Sequence, residues 1–99
     1  MEKILVVIKE PGQPARIEPQ FENTLEAFQK AVGGYIETVT LTPELVIICN
    51  EEGRLLDLPN NVSVRGVDFV GTIVACGVKD DDFASLRSAS VPFVLRMME

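Results

Sequence analysis

The residues able to do chemistry lie near one another in the chain. Tyr35 and Glu37 flank Ile36, Asn50, Glu51 and Arg54 surround a turn, and Asn61 follows in a loop. Both asparagines can donate and accept hydrogen bonds, and Arg54 can hold an anion. Tyr35 can offer a ring face and a hydroxyl. Converging, such groups would recognise a specific polar small molecule. Each also has a plainer reading: Tyr35 as a half-buried sheet aromatic, Glu51, Glu52 and Arg54 as solvated turn residues, Asn50 and Asn61 as turn caps.

Other chemistries find little support. The chain has no histidine, which removes Ser-His and Cys-His nucleophile activation and every His-containing metal site. Ser85, Ser88 and Ser90 have no recognisable activating base. Carboxylate acid–base work by Glu37 and Glu51 is conceivable, but nothing in their spacing selects it, so no catalytic residue is assigned. Glu51, Glu52 and Asp80–Asp82 lack the spaced oxygens of an EF-hand loop; they read as solvated charge, and no metal or cofactor is expected. Cys49 and Cys76 lie in apolar runs and read as buried, reduced thiols.

Composition narrows the class. A length of 99 residues suits one domain, 1–99, and 46% hydrophobic residues suffice for a core. No apolar run approaches the ~20 residues of a membrane helix, and Lys3–Ile8 is too short for a signal peptide. A cytoplasmic protein with no membrane partner is expected. The net charge of −6 disfavours a nucleic-acid partner, since phosphate backbones are bound by Lys and Arg. A short chain with sheet edges to cover is expected to form a homo-oligomer, a dimer first.

The elements that must position these residues follow from pattern. Lys3–Lys9 is a near-continuous β-branched run, as in a central strand. After the Glu10–Gln13 turn, Ala15–Glu18 reads as a short edge strand bracketed by Pro14 and Pro19. Asn23 with Glu26 makes a capping box for a helix over 24–32, with Leu25, Phe28, Ala31 and Val32 on one face. Gly33 or Gly34 supplies the left-handed stop. A phosphate cradle needs a helix N-terminus, so this pair is not one.

Tyr35–Thr40 alternates, Thr42-Pro43 turns, and Leu45–Cys49 is an interior strand. Their pairing brings Tyr35 and Glu37 toward Asn50. Asn50–Gly53 suits a second hairpin turn with Arg54–Leu56 returning, and the Asp57–Asn61 loop crosses back to close that end of the sheet. Val62–Arg65 fits a short strand or loop. Phe69–Val78 reads as one strand, its internal Gly71 and Gly77 marking a bulge or close backbone approach. Phe83–Leu86 reads as a short edge strand. The last segment, 91–98, fits either a helix begun at Pro92 or an alternating strand. The expectation is α+β: a largely antiparallel sheet of about five to six strands with helix on one face.

Val32-Gly33-Gly34-Tyr35-Ile36-Glu37, Ile48–Arg54, Leu58-Pro59 with Asn61, and Gly71-Thr72 together resemble domain of unknown function 3846. That family comprises small proteins of phages, conjugative elements and Gram-positive bacteria. The chain departs from its pattern at the three-Asp run and at Ser90–Met98. The resemblance brings no established activity. It implies a mobile-element setting, in the host cytoplasm if phage-encoded, and by association an accessory or anti-defence role. The expected function is therefore non-enzymatic binding of a small, nucleotide-derived immune signal at Tyr35, Glu37, Asn50, Glu51, Arg54 and Asn61. A protein-binding inhibitor of a host enzyme and a carboxylate-dependent hydrolase are the alternatives.

Overall fold

A computed structural model describes residues 2–99. The strands are β1 (Lys3–Lys9), β2 (Arg16–Glu22), β3 (Ile36–Thr42), β4 (Leu45–Asn50), β5 (Asn60–Val64), β6 (Val67–Val70), β7 (Ile73–Lys79) and β8 (Asp82–Ala84). The helices are α1 (Leu25–Val32) and α2 (Val91–Met97). The main sheet runs β2-β1-β7-β4-β3, with β8 also on β7, and every pairing is antiparallel. β5 and β6 form a separate hairpin. The architecture is the expected α+β.

Two apolar layers flank the sheet. On one face Phe28 and Val32 of α1 pack on Ile4, Val6, Ile48 and Val74. On the other, Val91, Val94 and Met98 at the C-terminal end join Val64 and Phe69 of the hairpin over Val7, Ile47 and Ile73. Helix was expected on one face only. The second layer closes because Pro92 starts a helix whose buried positions are spaced to meet the sheet. The alternation at Phe93, Leu95 and Met97 is therefore not a strand. Among the described residues no helix is long and apolar enough to cross a membrane.

Several local expectations shift. Thr24, not Asn23, is the N-cap: its hydroxyl accepts from Ala27 N at 3.1 Å. Asn23 instead donates from Nδ2 to Glu2 Oε1 at 2.7 Å and Phe83 O at 2.8 Å, joining three segments. Leu25, assigned to the buried face, is exposed. Gly33 is the left-handed residue, at φ 81°, a conformation costly for any residue with a Cβ. β2 runs through Pro19 instead of stopping there, because it is an edge strand and the missing N–H leaves no ladder bond unmade. The run Phe69–Val78 is two strands. Gly71 at φ 72° breaks it, and β7 then enters the main sheet while β6 stays with β5. Arg54–Leu56 does not return as a strand, for reasons that lie in the site.

Candidate functional site

The β3–β4 hairpin builds one wall. Its register sets Ile36 opposite Asn50, Glu37 opposite Cys49 and Val39 opposite Ile47. Glu51 N donates to Tyr35 O at 2.8 Å, extending the ladder one step past both strands. Val39 and Cys49 pack against the core layer containing Ile47 and Phe69. Glu37, opposite Cys49, shares their face.

Asn50 then diverts the chain. It is only 7% exposed. Its Oδ1 accepts from Glu52 N at 2.8 Å, and its Nδ2 donates to Val32 O at 3.1 Å, at the end of α1. The first bond is an Asx turn, and the second fixes that turn to the helix. Gly53 N then bonds Asn50 O, Leu56 N bonds Glu52 O and Leu58 N bonds Gly53 O, so residues 51–57 coil instead of pairing back. Gly34 packs so closely that a Cβ there would lie 2.9 Å from Asn50 Nδ2.

The opposite wall is β6. Arg65 at φ 50° and Gly66 at φ 81° form the two-residue turn that folds β6 onto β5, both central residues having the positive φ of a type I′ hairpin. Between Glu37, Cys49, Asn50, Glu51 and Arg54 on one side and Val67–Val70 on the other lies a cleft of about 280 Å³. Arg54 crosses it, donating from Nη2 to Asp68 O at 2.7 Å. A guanidinium has five N–H donors, so most of its donor capacity is left for another group. Glu37, Glu51 and Asp68 line the cleft together with this single cation, and the Asp68 carboxylate accepts from Ser63 Oγ. Cys49 Sγ lies 3.7 Å from Glu37 O. Burial, with the charge of Glu37 adding to it, pushes the Cys49 thiol up to about 11. At neutral pH it is a protonated hydrogen-bond donor and not a nucleophile. Among the described residues no group of three or more Cys, Asp or Glu stands ready to hold a metal ion.

Four of the six residues singled out from sequence, Glu37, Asn50, Glu51 and Arg54, thus line one cleft. Tyr35 does not line it; its side chain projects into solvent, 66% exposed. Asn61 stands at an adjoining hollow that shares Arg54 and Asp68 with the cleft. Its Nδ2 donates to Lys9 O at 2.8 Å and Gly71 O at 2.7 Å, tying the end of β1 to the link between β6 and β7. Its Oδ1 is buried with no hydrogen-bond partner. Cys49 and the Val67–Val70 wall were not anticipated. The signal for that wall was Arg65-Gly66 between Val62/Val64 and Val67/Phe69, a two-residue turn between alternating apolar pairs.

No curated protein and no solved structure matches the chain. One family model does match, over residues 1–98, and by it the chain belongs to the family described as Domain of unknown function (DUF3846).

Proposed function

We propose that this protein binds and holds a small polar molecule in the cleft between β4 and β6 without transforming it. The observation that carries the reading is the convergence of Glu37, Glu51, Asp68 and Arg54 around one cavity of about 280 Å³. That volume is near the lower end of ligand sites, roughly 300 Å³, and suits a single nucleobase or nucleoside. Carboxylates accept from the N–H groups of a base edge, while Arg54 offers its remaining donors to one phosphate or carbonyl. With three carboxylates to one guanidinium, the cavity disfavours several clustered phosphates. A nucleotide-derived ligand would place its base inside and the rest of its phosphates in solvent. In the phage or mobile-element setting implied by the sequence resemblance, the protein would sequester a signal of host defence. Cys49, protonated at neutral pH, offers the cleft no thiolate nucleophile.

The test is to purify the protein from its natural host, denature it and identify what it releases by mass spectrometry. Wild type is expected to release one intact small molecule, and folded Arg54→Ala and Glu37→Gln variants to release little. An empty wild-type protein, or equal retention by both variants, overturns the proposal. Release of a cleaved product would favour the hydrolase. A stoichiometric host protein in the preparation would favour the inhibitor.

A further inference from the structure

The two edges of the main sheet are not alike. The β2 edge is interrupted by Pro19, carries the charges of Arg16, Glu18 and Glu22, and shifts register against β1 between Ile4 and Val6. Each of these discourages another strand from adding there. The β3 edge has none of them over residues 36–40, where Ile, Thr, Val and Thr surround one charge, Glu37. Its irregularity comes later, between Thr40 and Thr42. There Arg65 Nη1 also covers Leu41 O at 2.8 Å.

The orientation of the open stretch follows from the ladder. Tyr35 O accepts from Glu51 N, so Tyr35, Glu37 and Val39 direct their backbone polar groups toward β4. By alternation, Ile36, Thr38 and Thr40 direct theirs away from the sheet. We infer that this edge pairs with the same edge of a second copy, antiparallel, about a two-fold axis at Thr38.

In that register Thr38 meets Thr38 of the second copy, Ile36 meets Thr40 and Glu37 meets Val39. The N–H and C=O groups of Ile36, Thr38 and Thr40 all find partners, and no carboxylate directly faces another. Tyr35, exposed in the single copy, falls opposite Leu41 of the second copy and covers it. Glu37 and Val39 also line the cleft. Pairing therefore sets two clefts side by side on one face of a continuous sheet, and the second copy's β3 extends the wall of each. The inference goes beyond the ligand reading and stands without it, because its test reads assembly alone.

Light scattering on the full chain across micromolar concentrations is expected to give twice the monomer mass. Thr38→Pro is expected to give the monomer mass with unchanged thermal unfolding at low concentration, since that N–H bonds nothing within one copy. Thr38→Cys is expected to cross-link on mild oxidation. Its Cα atoms would be ~5.5 Å apart, within disulfide reach. Thr40→Cys is not, its Cα atoms being offset along the strands by roughly 13 Å. A wild-type monomer at every concentration, a dimer persisting in folded Thr38→Pro, or equal cross-linking at both positions overturns the inference. An unfolded Thr38→Pro leaves the decision to the two cysteine variants, which preserve the N–H.

Discussion

Asn50→Ala should be disproportionately damaging for so small a change. The side chain is almost wholly buried and makes two hydrogen bonds, to Val32 O and from Glu52 N. Val32 is buried, so its carbonyl loses a partner without gaining water; Glu52 is exposed and its N–H can be rehydrated. At ~1–3 kcal/mol for a buried group left unpaired and less for the hydrated one, the loss should be about 2–4 kcal/mol. A second substitution probes the same contact from the helix side. Gly34→Ala places a methyl group 2.9 Å from Asn50 Nδ2, an overpacking that costs roughly 1–3 kcal/mol. In the Asn50→Ala background that obstacle is gone, and Gly34→Ala should cost nothing or stabilise by about 0.4–1 kcal/mol through the unfolded chain. The double variant should therefore be more stable than the two losses added, by roughly 1–3 kcal/mol. Urea unfolding followed by far-ultraviolet circular dichroism reads this directly, at one fixed protein concentration so that assembly does not enter. Strict additivity, or an Asn50→Ala loss below about 1 kcal/mol, would refute the contact between α1 and the cleft turn.

Gly33→Val should destabilise by ~1–2 kcal/mol from the left-handed penalty alone, as read by the urea midpoint; unchanged stability would mean that α1 ends elsewhere. Burial raises both thiols, Cys49 to about 11 and Cys76 to about 12, from an ordinary 9.0. Their contribution to stability is complete below pH 9 and is lost as pH rises through the folded values, because the unfolded thiols ionise first. The thermal midpoint should therefore fall from pH 9 toward 11, with a shallower fall in Cys76→Ala; identical profiles would refute the assignment. Iodoacetamide at pH 8 should label Cys49 faster than Cys76 in the native protein, and both after denaturation without reductant; the reverse order, or unlabelled thiols, would refute it.

What could be read from sequence was local. Helix α1, its stop at Gly33 and the β3–β4 hairpin all depend on residues within a few positions of one another. Their alternation and turn chemistry brought Glu37 and Asn50 together correctly. The region beyond Asn50 was misread because its course depends on Val32 O, 18 positions away; the local letters Asn-Glu-Glu-Gly suit a hairpin equally well. Phe69–Val78 looked continuous because both halves are apolar, and the break at Gly71 is enforced from afar. Asn61 grips Lys9 O, 52 positions back. No window of sequence contains that bond, so the part Asn61 plays in tying β1 to the β6–β7 link was not legible. Leu25 fitted the helical stripe, yet it is the first residue of α1 and stays exposed, while Phe28 and Val32 carry the packing.

The position of β7 bears on how the chain reaches its native state. β7 comes late in the sequence yet lies between β1 and β4, with Val7 and Ile47 both paired to Ala75. During synthesis the β1–β2 and β3–β4 hairpins can each form early, with only α1 packing across both, but no strand pairs with both until Ile73–Lys79 has left the ribosome. Until then each hairpin exposes an edge and an apolar face meant for β7, a state vulnerable to aggregation. Bringing partners together across such separations is slow, because loop-closure entropy is lost before any pairing energy is gained. A chain truncated before Ile73 has no strand to join its halves, and folding of the whole sheet waits on that one late insertion.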